Sequence, residues 1–144
     1  MEHSLHILLY RAFHAQRNYL RPGLQELGLG TGQPKLMAYL AARGPCRQRQ
    51  LADYFDVDPS NVSRMVSCLE KGGFLTRCRD GAGRGRDLVQ ITEQGRLASE
   101  GWQRRCREEE AIMLQGFTAE ERSLFGSFLL RAYQNLRNAS EVTP

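Results

Sequence analysis

Between Asp58 and Lys71 the chain carries Ser60, Asn61, Ser63, Arg64 and Ser67, short hydroxyl, amide and guanidinium groups with little bulk among them. A carboxamide donates and accepts side by side, a guanidinium donates through a planar fork, and a hydroxyl does either at close range. Together they suit the edges of nucleic-acid bases and the oxygens of phosphates. A second group, Arg84 and Arg86, stands in Asp80-Gly81-Ala82-Gly83-Arg84-Gly85-Arg86, where glycines free the backbone around two cations. Such arginines suit a narrow minor groove, whose enhanced negative potential attracts them. Arg47, Gln48 and Arg49 are lesser candidates for phosphate contact. Taken alone, a polar helix face is ordinarily a solvated surface.

The surrounding elements raise that face above the ordinary. Asp58 can cap a helix through its carboxylate, and Pro59 fits the first helical position because its missing N–H is not needed there. Val62, Met65, Val66 and Leu69 then recur at helical spacing, which puts the polar residues on the other side of the cylinder. Gly72-Gly73 supplies the stop. Before this helix, Gln48 to Phe55 carries Leu51, Ala52 and Phe55 on one face, and the turn Asp56-Val57-Asp58 is too short to let the two helices separate. After it, 74–79 and 87–92 have strand-like content and flank the glycine-arginine run as a hairpin with a basic tip.

The run from Leu51-Ala52 through Asn61-Val62-Ser63-Arg64-Met65-Val66 and Leu69-Glu70-Lys71-Gly72-Gly73-Phe74-Leu75-Thr76-Arg77 to Ile91-Thr92-Glu93-Gln94-Gly95 resembles the MarR (multiple antibiotic resistance regulator) family. The likeness extends over nearly the whole chain, and its most specific parts are the helix-turn-helix run and the junction Ile91-Thr92-x-x-Gly95. It implies a mainly α fold with a small β-hairpin wing: a winged helix-turn-helix lobe over 31–92, with helical dimerisation regions at 3–27 and 93–138 of a single 1–144 protomer. It further implies a ligand-responsive repressor that binds double-stranded DNA as a homodimer. The family's wing commonly carries an aspartate-arginine pair at its tip. Here Gly83 precedes Arg84, so the arginine carries over and the acid does not, and Asp80 is a candidate replacement through Arg77 or Arg79. Family members hold small, often aromatic or anionic effectors between the lobe and the dimer helices, and Tyr39, Trp102 and Arg17 are the candidate lining here.

Composition sets wider bounds. The 144 residues are 41% hydrophobic and carry a formal charge of +4, enough for a core and modestly basic. Residues 43–96 hold ten Lys or Arg against seven Asp or Glu, whereas 97–144 hold six against seven, so the positive excess lies toward the candidate contacts. No apolar run reaches membrane-spanning length, and Met1-Glu2-His3-Ser4 lacks the basic start of a secretion signal, so a cytoplasmic protein is expected. Cys46, Cys68, Cys78 and Cys106 have neither C-x-x-C nor paired metal spacing and read as free thiols. Cys78, between Arg77 and Arg79, is the residue on which an alternative thiol-sensing regulator would turn. His3 and His6 lack an identifiable third ligand, so neither metal nor cofactor is expected. No nucleophile, base and orienting group share a motif, which argues against an enzyme. A winged helix that binds only proteins is a further alternative, but it should show an apolar or acidic face in place of Asn, Ser and Arg.

Elsewhere, Leu5, Leu8, Leu9, Ala12, Phe13, Gln16 and Leu20 mark a helix expected to stop near Arg21-Pro22-Gly23, with Leu24 and Leu27 in a further short turn. Thr31 is the expected cap of a helix running to Ala42, and a short strand is expected near Cys46 from the resemblance. Thr92 should cap a long charged helix. Thr118 and Glu121 form a capping box for a last helix bearing Leu124, Phe125, Phe128, Leu129, Ala132, Tyr133 and Leu136. The terminal helices carry more apolar surface than a small winged lobe can bury, which points to packing between subunits.

Overall fold

The computed structural model describes residues 4–79 and 87–142. Along the chain come α1 (Leu5–Leu27), α2 (Gln33–Arg43), β1 (Cys46–Arg47), α3 (Gln48–Phe55), α4 (Pro59–Lys71), β2 (Leu75–Arg79), β3 (Asp87–Ile91), α5 (Glu93–Met113) and α6 (Ala119–Val142). The strands form an antiparallel sheet in the order β1-β3-β2, with Cys46 opposite Val89 and Arg77 opposite that same Val89 on the other side. The two-residue strand near Cys46 is thus present. The chain divides into two compact units, Met1–Glu109 and Glu110–Pro144.

The first unit is built around one apolar core. Leu36, Met37 and Leu40 of α2 meet Leu51 of α3, Val62, Val66 and Leu69 of α4, and Leu75 and Val89 of the sheet. These are the positions that helical and strand periodicity turn inward. α1 departs from expectation, continuing through Pro22 to a left-handed cap at Gly28, whose φ is 73°. There Gly28 N–H donates to Gln25 O and Leu29 N–H to Leu24 O, with Leu29 buried beneath the cap. A proline inside a helix forfeits one backbone bond. Packing of α1 against α5 holds the helix together across it. Gly23 is buried so closely that a Cβ there would lie 2.4 Å from Arg105 Cδ, and one at Gly101 would lie 3.2 Å from Leu27 Cδ2.

A second departure is the start of α2. Thr31 does not cap it; Gly32 occupies the cap position with φ 83°, and the Gln33 side chain accepts from Gly30 N–H at 2.8 Å. The glutamine satisfies the turn from inside the helix, so the threonine hydroxyl is not needed there. In the second unit the capping box forms as expected: Thr118 Oγ1 accepts from Glu121 N–H at 3.1 Å, and Glu121 Oε1 accepts from Thr118 N–H at 2.8 Å.

Candidate nucleic-acid interface and cavity

The helix α4 is held at both ends. Asp58 Oδ1 accepts from the backbone N–H and the hydroxyl of Ser60, each at 3.1 Å. At the far end Gly73 takes φ 84°, with its N–H donating to Glu70 O and Phe74 N–H donating to Leu69 O. The Ile91-Thr92-x-x-Gly95 junction explains how that end is fixed. Thr92 Oγ1 lies 2.7 Å from Gly73 O and accepts from Gly95 N–H at 3.0 Å, while Gln94 Nε2 donates to Gly72 O at 3.1 Å. A Cβ on residue 95 would sit 2.2 Å from Phe74 O, so α5 can start this close only from a glycine.

With both ends fixed and Val62, Val66 and Leu69 buried, the opposite side of α4 is presented outward: Ser60, Asn61, Ser63 and Arg64 are all exposed. Asn61 Oδ1 accepts from Arg64 Nη2, one helical turn away, which ties the amide to the fork. Arg64 also borders a shallow groove with Ser63, Ser67, Cys68 and Lys71. Ser67 is half-buried and turned toward the sheet, where its Oγ lies 3.4 Å from Arg77 Nη2. Arg77 Nη1 meets Glu70 Oε1 at 2.9 Å. Arg77 and Glu70 were not among the expected site residues, and their pairing follows from the strand-helix geometry rather than from any local motif. Arg47 and Gln48 are half-buried at the start of α3, where Arg47 N–H donates to Gln50 Oε1, and Arg49 is exposed. Asp80, Arg84 and Arg86 lie outside the described residues.

Of the three residues expected around an effector, two come together. Arg17 and Trp102 line an open cavity of about 400 Å³ with Phe13, Arg21, Thr31 and Lys35. Tyr39 does not line it. It stacks among Tyr54 and Phe55, with the Arg43 guanidinium 5.2 Å from its ring centre. Phe13, Arg17 and Arg21 fall four residues apart on α1, a spacing that places them on one face. That spacing was the available sign that Arg21 and Phe13 accompany Arg17.

The thiols differ from one another in setting. Cys46 is buried in the core, and burial pushes its thiol pKa up, away from the reactive thiolate. Cys78 is half-exposed, with its Sγ donating to Gln90 Oε1 at 3.4 Å, and Cys68 is exposed on α4. Among the described residues no His, Cys, Asp and Glu cluster could hold a metal ion, and no helix is long and apolar enough to cross a membrane.

Two helices joined by a tight turn, the second carrying an exposed polar face and followed by an antiparallel hairpin, define a winged helix-turn-helix. Residues 31–82 match the family model described as the MarR family. The HTH-type transcriptional regulator YxaD of Bacillus subtilis strain 168 is 28% identical over 131 residues, covering 91% of this chain and 89% of YxaD. A crystal structure of MarR superposes with a TM-score of 0.81 at 26% identity, over 97% of this chain and 96% of that one. A MarR-family regulator from Listeria monocytogenes, solved in complex with a 26mer DNA, gives a TM-score of 0.85 at 23% identity, over 96% and 92% of the two chains. Residues 31–82 thus carry a MarR-family domain, and over nearly its whole length the chain is similar to DNA-binding transcriptional regulators of that family.

Proposed function

We propose that the protein acts in the cytoplasm as a homodimeric, ligand-responsive repressor, with the α4 helices of two protomers entering successive major grooves of a pseudo-palindromic operator. The observation that carries this reading is the exposed Asn61–Arg64 pair on a helix fixed at both ends. Rigid placement is what base reading requires, since hydrogen bonds to base edges discriminate only when donor and acceptor are held in register. Asn61 suits adenine and Arg64 suits guanine, while Ser60 and Ser63 suit phosphate or base edges. Arg84 and Arg86 serve the minor groove, and Arg47 and Gln48 serve the backbone. The Listeria regulator's complex with DNA supports the same use of the fold.

Dimerisation is supported by apolar surface left uncovered in one chain. Leu8, Leu9 and Phe13 of α1 are exposed, as are Leu124, Phe128 and Leu136 of α6, and no described residue of α6 is buried. Faces of that kind mark contacts between subunits. Half-sites should then lie about one helical turn of DNA apart, roughly 34–36 Å. Response to a ligand is assigned to the cavity of Arg17, Arg21, Lys35, Phe13 and Trp102, whose cations and aromatic rings fit a small aromatic anion.

Selection of bound DNA from a random pool, followed by sedimentation of protein and complex, tests the reading. An enriched inverted repeat bound by a dimer is expected. A clean monomer at micromolar concentration would sink the homodimer, and enrichment of no sequence would sink the assignment of α4. In vitro transcription from a promoter carrying the enriched repeat should fall on adding protein; a rise would make it an activator.

A further inference from the structure

We propose that Arg77 is a positioning residue that locks the wing strand β2 to the reading helix α4, and that Glu70 and Ser67 serve this lock. Its importance for function rests on the DNA reading above. The strand β2 is the outer strand of its sheet, hydrogen-bonded to β3 alone. Leu75, at its beginning, is anchored in the core; Thr76 is exposed, and Cys78 is joined to Gln90 of β3. Arg77, sharing a side of the strand with Leu75, is therefore the described side chain beyond the core that can tie β2 laterally to α4.

The tie is made at two points. Arg77 Nη1 reaches Glu70 Oε1 at 2.9 Å and Nη2 reaches Ser67 Oγ at 3.4 Å, two groups one turn apart on α4. A single contact would let the strand pivot about it. A planar fork held on two groups of one helix face fixes rotation as well as separation. The lock sits on the last turns of α4, and Asn61 and Arg64 sit on the first turns, so the orientation of β2 is referred directly to the residues that read the groove.

The pair is partly solvated, with Arg77 and Glu70 side chains 24% and 40% exposed, so its loss should barely move folding stability. Its effect should appear in DNA binding instead. The experiment compares wild type with Glu70→Gln, Arg77→Met, the double variant, and the exchange Glu70→Arg with Arg77→Glu. Each is titrated with DNA selected by the wild-type protein, over a range of salt concentrations, alongside melting curves. Each single variant should lose on the order of tenfold in affinity, and the double should lose little more, as expected for groups acting through one contact. The exchange should recover much of the loss. The salt slope should stay at the wild-type value, because every group that neutralises a phosphate is still in place.

Three results would overturn the lock. If Arg77→Met flattens the salt slope while Glu70→Gln binds like wild type, Arg77 is a phosphate contact. If both singles bind like wild type, the pair is an idle surface bridge. If both lower the melting temperature enough to unfold the lobe, the pair is a stability element. Wild-type protein that selects no sequence would instead remove the DNA reading and the lock together.

Discussion

The helices α4 and α6 open with equally clear caps, yet one sends a face into the core and the other is almost wholly uncovered. α4 runs for 13 residues with three of them buried, fixed by Asp58 at its start and by the Thr92–Gly95 junction at its end. α6 runs for 24 residues, starts on a complete capping box, and buries none of its described side chains. Caps are local and fix where a helix starts; burial depends on what the rest of the assembly offers. An apolar helix without cover in one chain is therefore informative about a second chain in a way that a covered one is not.

Glycines give the sharpest way to break this comparison. Gly95→Ala should destabilise the winged lobe by about 3 kcal/mol, because the new Cβ meets a backbone carbonyl at 2.2 Å. Gly126→Ala in α6 meets nothing within 4 Å, and alanine is favoured over glycine in a helix interior by about 0.8–1 kcal/mol. Denaturant unfolding of both variants should thus give opposite signs. If Gly126→Ala were instead destabilising in a way that depended on protein concentration, Gly126 would be a point of close approach between protomers.

Next in size are the residues proposed to read DNA. Asn61→Ala and Arg64→Ala should each weaken operator binding by about 1–3 kcal/mol and relax preference at one position per half-site. Because both are exposed, thermal stability should hardly change. Binding of both variants to selected DNA at wild-type affinity would return this face of α4 to ordinary solvated surface. A smaller and less selective effect is expected from the wing: Arg84→Ala with Arg86→Ala should reduce the slope of log affinity against log salt by about 0.9 for each phosphate no longer neutralised. Major-groove preferences should survive, and an unchanged slope would leave those arginines as solubility charges.

The same contrast explains what could be read in advance. Asp58-Pro59, Gly72-Gly73 and Thr118 with Glu121 were legible because each acts on backbone groups within a few residues. The continuation of α1 through Pro22 was not, since it is stabilised by Gly23 packing on Arg105, a residue more than eighty positions away. Tyr39 illustrates the limit of residue type as evidence. An aromatic on α2 fits a cavity wall and a stack on Tyr54 equally well until the helices are placed. The Arg77–Glu70 pair is of the same sort: the residues lie seven apart, yet their meeting depends on how β2 folds back along α4.

The smallest expected effect concerns the α6 cap and turns on proton linkage. Glu121 accepts from Thr118 N–H, and that bond, together with the Thr118 hydroxyl, holds its carboxyl below the usual carboxylate range. A group whose pKa is lower in the folded state stabilises that state when ionised, so the contribution is complete above the ordinary glutamate pKa and fades as pH falls through the lowered one. Glu121 is fully exposed, so solvent screens the effect and only the start of α6 should respond. Amide signals of Thr118 and Glu121 followed through an acid titration should move together below the ordinary glutamate range, ahead of any change in the signals of α4. Thr118→Ala should leave the Thr118–Glu121 backbone contact but remove the hydroxyl, moving the Glu121 midpoint part of the way back up. Glu121→Gln should abolish the local transition while keeping the helix. If the wild-type carboxyl titrated at the ordinary value, the box would not persist in solution, and α6 would begin by virtue of its apolar contacts alone.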